Sequence, residues 1–408
     1  MVAVVAASYC ALAFLGVCEG FNLPPNFKKN HRAPWNRIRI NSAHFAEKED
    51  APVVDADADA DADANANANA NANADVIAPT YGSEVLALAL PALVTLSLDP
   101  LMSLVDTLFV GMSSPQSPLP LSAMAVASAP LTFAVFASNF LSTATAPIVA
   151  KQMGGGEEEE ARETGRLMLN VALVFGLALS AGFFLNATAI LAAFQSTPST
   201  TLSLSLPFLR IRAMAMPAIL TATASIGILR GYLDTKTPLR VAFIANAVNL
   251  LVDLVTIFGL KLGSTGAAIA TTSAEIIAAA LFLDKLREIE ISPDLIPRQL
   301  AKYKPVLLAS SSVFLRTLIL QSVLASATFV LGGEVRDVAA HQIALQIWLI
   351  GSFVSDCLAG AGSGLIGREI GRRNDAGVKA VTKNVVVLST VLGVIQALIL
   401  GLATERGG

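Results

Sequence analysis

The stretch ALALPALVTLSLDPLMSLVDTLFVG (residues 87–111) is apolar enough and long enough to cross a bilayer as a helix, yet it carries Asp106 with no basic residue beside it. A helix of about 20 apolar residues spans a hydrocarbon core of about 30 Å. A carboxylate at mid-membrane depth costs about 2.5 to 3.5 kcal/mol on insertion scales. The stretch NAVNLLVDLVTIFG (246–259) places Asp253 in the same position. Two such carboxylates need a reason to be kept, and a coupling-ion site supplies one.

The rest of the chain agrees with a membrane setting. Of 408 residues, 54% are hydrophobic and 14% charged, with a mean hydropathy of +0.63. Soluble domains carry about 25% charged residues. From residue 85 onward, nine apolar segments follow at 85–111, 121–150, 166–194, 205–229, 239–260, 266–284, 305–331, 338–366 and 380–403. The expected fold is therefore an all-α polytopic membrane protein. Lysine and arginine fall almost entirely after the even-numbered segments, sixteen against two in the intervening loops. That bias places the N-terminus on the positive-inside face.

The first eighty residues read as address and tether. Residues 1–20 resemble a signal peptide, and 21–50 form a basic segment like a transit sequence. With Phe21 at the junction, the order resembles the two-part plastid presequence of algae with secondary plastids. An ordinary secretory signal stays open, because no basic residues precede the apolar run. Residues 51–84 contain Asp-Ala and Asn-Ala repeats with nothing large to bury, and their composition predicts a disordered linker. The net charge of -3 identifies no partner, and nothing supports nucleic-acid binding. Three cysteines, Cys10, Cys18 and Cys357, form no disulfide framework or CxxC site.

A weak repeat divides the remainder. A shift of 217 aligns AKQMGGGEEEEA (150–161) with GREIGRRNDAGV (367–378), pairing Gly154 with Gly371. Segments seven to nine then stand as a second copy of one to three, which implies two six-helix halves in parallel orientation. The expected division is an N-lobe at 85–290, an inter-lobe loop at 291–304 and a partial C-lobe at 305–408. About nine of twelve helices are then present, and the chain is expected to be either truncated at its C-terminus or degenerate.

Depth brings the polar residues to one level. Asp106, Asp253 and Thr271 each lie five or six residues from an outer helix end, hence roughly 7 to 9 Å below it. Asn249 precedes Asp253 by one helical turn and shares its face. Two carboxylates, an amide and a hydroxyl offer oxygen ligands to Na⁺, or a carboxylate pair able to hold a proton. Separate satisfaction by backbone or neighbouring hydroxyls is the plainer alternative for Asn249 and Thr271.

In combination, residues 87–111, LRIRAMAMPA (209–218), LRGYLDTKTPLR (229–240), NAVNLLVDLVTIFGL (246–260), GAAIATTSAE (266–275) and VAAHQIALQIW (338–348) closely resemble the multidrug and toxic compound extrusion (MATE) family. Within it they are most similar to the branch of DNA-damage-inducible protein F, which includes plant plastid-envelope and organic-acid exporters. The resemblance implies two lobes rocking about a central cavity and an N-lobe cation site at Asp106, Asn249, Asp253 and Thr271. It implies a cation-coupled antiporter, driven by H⁺ or Na⁺ with no cofactor, that exports small organic molecules. Its partners would be a small-molecule substrate and the bilayer, and the working unit a monomer. A flippase for lipid-linked substrates and a non-transporting membrane protein are the alternatives. No enzyme motif such as HExxH or a nucleophile elbow is present in the sequence.

Other residues have two readings each. Asp99 is a relay or a structural cap, and Pro100 beside it is a candidate hinge because it frees a backbone carbonyl. Glu275 and Asp356 line the cavity or serve packing. Arg210, Arg212 and Arg316 bind an anionic substrate, or else snorkel from the inner helix ends or pair with a carboxylate. His341 and Gln342 read as a cap, and Glu157–Glu160 as a solvated loop.

Overall fold

The computed structural model describes residues 60–194, 199–293, 311–320, 322–323 and 335–406. The chain divides into two units, Met1–Ala66 and Asn67–Gly408. The architecture below is that of the second. All regular structure among the described residues is helical. Residues 1–50, with the signal-like and transit-like segments, and most of the inter-lobe loop lie outside the described residues.

Helix α1 runs over Ala60–Ser113, and its apolar span is Tyr81–Ser113. The helix thus begins within the stretch whose composition predicted a disordered linker. Alanine at every second position is the residue that costs least in a helix, so the repeat accommodates one. Helices α2 (Leu119–Ala137), α3 (Phe140–Thr143) and α4 (Thr145–Gly154) follow as one bent span. At its breaks, Ser138 Oγ donates to the Ala134 carbonyl at 2.7 Å and Thr145 Oγ1 to that of Leu141 at 2.5 Å. Such back-bonding bends helices.

Helix α5 (Glu158–Leu185) opens on Glu158, Glu159 and Glu160. Those glutamates were expected in a loop. They are exposed but helical and complement the N-terminal dipole, and Glu158 and Glu159 pair with Arg162 and Arg166. Helix α6 is Ala187–Phe194. Helices α7 (Ser199–Met214) and α8 (Met216–Gly231) meet at a 45° bend, with Pro217 in the first turn of α8. A proline there gives up no interior hydrogen bond. Helix α9 (Lys236–Asp253) passes into a π-helical turn at Leu254–Gly259, and α10 covers Ser264–Arg287. Helices α11 (Ser311–Leu320), α12 (Val335–Gly371) and α13 (Asp375–Arg406) complete the described chain.

Among the described residues, six helices are long and apolar enough to span a membrane, or seven with the bent α7–α8 pair. Many large apolar side chains, among them Leu104, Leu108, Leu251 and Val394, face outward. A soluble protein would bury such residues, and lipid is the solvent that accepts them.

Two cores result. One is built from α2, α3 and α5 through α10, with Leu141, Met168, Leu209, Leu220 and Ile228 buried. The other joins Val85, Ala89 and Ala92 of α1 to Cys357, Leu358 and Leu365 of α12 and to Val381 of α13. Helix α1, expected wholly within the first half, is therefore shared. Its early turns pack on the second half, while Val110 near its end packs on Ile257 and Ala267 of the first.

The repeat also reappears in three dimensions. A Cβ added to Gly154 would lie 2.1 Å from the Arg368 carbonyl oxygen, and one added to Gly371 would lie 2.0 Å from that of Lys151. The shift of 217 that pairs Gly154 with Gly371 also pairs Lys151 with Arg368. Helices α4 and α12 therefore cross backbone to backbone through an exchange of equivalent residues, which only glycine permits.

Candidate functional site: a buried carboxylate pair

Helices α1, α9 and α10 converge on Asp106. Its carboxyl is 8% exposed, Asn249 3% and Asp253 0%. Asn249 Nδ2 donates to Asp106 Oδ1 at 3.3 Å, and Thr271 Oγ1 lies 3.3 Å from Asp106 Oδ2. Thr271 also lies 2.8 Å from the Ala267 carbonyl oxygen, so its single proton is shared between two acceptors. The Asp253 carboxyl approaches that of Asp106. The structure thus brings together the four residues singled out by depth.

What distinguishes this cluster is a shortage of donors. Both Asp253 carboxyl oxygens and the Asn249 amide oxygen are buried with no hydrogen-bond donor. An orphaned buried acceptor costs about 1 to 3 kcal/mol, more if it is charged. Two facing carboxylates cannot bond to each other without a proton or a cation between them. The ligand set is oxygen only, which fits a hard monovalent ion or H⁺. No group of three or more acids, histidines or cysteines able to hold a metal ion exists among the described residues.

The π turn after Asp253 was not legible in the sequence. It places Thr256, whose hydroxyl lies 2.9 Å from the Val252 carbonyl oxygen and 3.1 Å from that of Gly266. Gly266 lies so close that an added Cβ would be 3.0 Å from Thr256 backbone. That approach seats α10 against α9. Single π turns of this kind often occur at functional sites.

The other candidates are dispersed. Glu275 forms an ion pair of 2.5 Å with Arg212, whose side chain is 16% exposed. Arg212 is thus engaged by a carboxylate. Asp99 is accessible and within electrostatic reach of Glu275. Pro100 sits inside continuous α1. Asp356 is exposed, accepts a bond of 3.5 Å from Ser352, and borders a small pocket with Leu88, Arg230, Leu233 and Cys357. Arg210 stacks over Phe184, 5.6 Å from the ring centroid, and Arg316 is exposed on α11. The side-chain surroundings of His341 and Gln342 lie outside the described residues.

Apolar spans of membrane-crossing length around a buried acidic pair define the class as that of multi-pass helical membrane proteins. A family model described as MatE matches residues 91–255. The chain is 31% identical to "Protein DETOXIFICATION 44, chloroplastic" of Arabidopsis thaliana over 70% of its length and 56% of the relative's. It is 28% identical to "Protein DETOXIFICATION 45, chloroplastic" of the same plant over 78% and 60%. DNA damage-inducible protein F of Escherichia coli is 25% identical over 78% and 70%. The solved structure titled "Crystal structure of MATE in the bent conformation" superposes with a TM-score of 0.71 at 18% identity, over 82% of this chain and 75% of that one. Residues 91–255 thus match the MATE family model, and the chain is similar to these relatives over most of its own length. It spans little more than half the length of the first two relatives.

Proposed function

We propose that the protein is a cation-coupled antiporter that exports small organic molecules by alternating access, with Asp106, Asn249, Asp253 and Thr271 as its cation site. The single observation carrying this reading is the donor-poor cluster, in which three buried oxygens of Asp253 and Asn249 lack hydrogen-bond donors. A proton or Na⁺ there is the missing partner. Its binding cancels one of the pair's two negative charges, and so their mutual repulsion, and lets α1 move against α9 and α10. Because the ion and the substrate favour different arrangements of the two halves, each weakens the other's binding by linkage. Organic acids or xenobiotics are the substrate class, handled by a monomer. The plastid envelope is the proposed membrane, since two relatives are named chloroplastic. The N-terminus would lie on its positive-inside face.

The test is efflux from proteoliposomes under imposed pH or Na⁺ gradients, with ethidium as a fluorescent probe. Asp106→Asn and Asp253→Asn are compared with wild type. Loss of gradient dependence in both is expected. Efflux that still follows the gradient in both variants would sink the assignment.

A further inference from the structure

The start of the apolar span of α1 (Tyr81–Ser113), remote from Asp106, makes a second set of polar contacts, and these join the two halves of the protein. Arg368 of α12 grips Glu84 of α1 through two bonds, Nη1 to Oε1 at 2.5 Å and Nη2 to Oε2 at 3.1 Å. Its Nε also donates to Glu369 Oε1 at 2.9 Å. Glu369 is buried, with 1% side-chain exposure, and takes two further bonds, from Arg372 at 3.1 Å and from Asn374 Nδ2 at 2.8 Å. Tyr81, one turn before Glu84, brings its hydroxyl to the same carboxylate. In contrast to the Asp106 cluster, every carboxyl here has a donor. The reciprocal crossing at Gly154 and Gly371 lies at this same end, with Arg368 taking part in both.

We infer that the Glu84–Arg368–Glu369 network and the Gly154/Gly371 crossing together form a latch that holds the two halves together at this end. The inference rests on the proposed alternating-access reading. Three points carry it. The fork-to-fork pair joins α1 to α12 across 284 positions of sequence, so it ties elements that must separate if the halves rock. The backbone contact at the glycines leaves no space for water to pass between α4 and α12. Glu84 and Asp106 are 22 residues apart on one helix, about 33 Å at 1.5 Å per residue. The apolar span of α1 thus reaches from the latch at Glu84 to the donor-poor cluster at Asp106. Glu84, Arg368 and Glu369 act as positioning residues, since they set the lobe arrangement without touching the ion cluster.

Cys357 reports on the latch. It is 5% exposed and borders the small pocket between α1, α8 and α12, eleven residues deeper along α12 than Arg368. The experiment follows the rate at which a hydrophilic maleimide labels Cys357 in purified full chain carrying Cys10→Ser and Cys18→Ser. Opening this end admits the reagent. Glu84→Gln and Arg368→Gln are each expected to raise the rate about tenfold, the scale of one partly buried ion pair. Arg368→Lys should raise it less, because an ammonium keeps the charge but not the fork. Gly154→Ala should also raise it, through a clash rather than a lost charge. Gly182→Ala, where an added Cβ meets nothing within 4 Å, should leave it unchanged. Protection of Cys357 in both Arg368→Gln and Gly154→Ala overturns the latch. So does equal labelling of Gly154→Ala and Gly182→Ala. These arms need no cation, so a chain that opens when unlatched but ignores Na⁺ and pH counts against the Asp106–Asp253 assignment alone.

Discussion

Asn249 Nδ2 donates a 3.3 Å hydrogen bond to Asp106 Oδ1 across 143 positions of sequence, and its own amide oxygen is left buried without a donor. The bond fixes which way the amide points. It commits the only NH₂ in the cluster to Asp106 and leaves Asp253 facing acceptors alone.

Asp253→Asn supplies the missing NH₂ group and removes one buried charge. The variant should unfold at a higher temperature in detergent, a gain of about 1 to 2 kcal/mol. It should also lose any shift of the midpoint with Na⁺ or pH, which a thermal unfolding series at several Na⁺ concentrations measures. A variant that keeps the full wild-type shift contradicts the site.

Arg212→Gln leaves Glu275 in a mostly buried position without its partner. We expect a loss of about 1 to 3 kcal/mol, recovered in large part by adding Glu275→Gln. A double-mutant cycle on thermal unfolding gives the coupling. Additive losses would mean that the pair contributes nothing to stability and that Arg212 is free for another task.

Two glycines of α5 should respond in opposite directions. At Gly176 an added Cβ would lie 2.6 Å from the Pro217 Cα, whereas at Gly182 it meets nothing within 4 Å. Gly176→Ala should cost about 1 to 3 kcal/mol by forcing α5 from α8. Gly182→Ala should gain up to about 1 kcal/mol from helix propensity. Unfolding midpoints of the two variants decide the matter, and equal shifts would rule out the close α5–α8 approach.

Pro100 denies the Leu96 carbonyl its usual partner within α1. Pro100→Ala restores that bond and stiffens the middle of the helix. Hydrogen exchange measured by mass spectrometry over residues 93–104 should slow in the variant. Exchange unchanged from wild type removes Pro100 as a hinge.

Much of this was readable along the chain, because lipid imposes simple rules. A segment must be apolar, about 20 residues long and internally hydrogen-bonded, so the spans and the carboxylates out of place within them stand out. Depth then follows from a fixed rise per residue, which is why Asp106, Asn249, Asp253 and Thr271 could be grouped before any contact was known. The same logic is blind to pairing. Snorkelling or pairing with a carboxylate is the plainer reading of Arg212, but which carboxylate it meets is not legible, since Glu275 lies 63 positions away. The π turn at Leu254–Gly259 follows from how α9 and α10 pack, which local propensity does not encode.

By itself the sequence determined a helical membrane protein of two related halves, with two carboxylates at one level of the first half. Only the tertiary structure decided that the Asp253 carboxyl and the Asn249 amide oxygen lack donors, that α1 divides its packing between the halves, and that Glu84 meets Arg368. The physical reason is that span and depth are properties of one segment in a uniform solvent. Hydrogen-bond satisfaction belongs to pairs of segments, and it exists only once their faces and crossings are set.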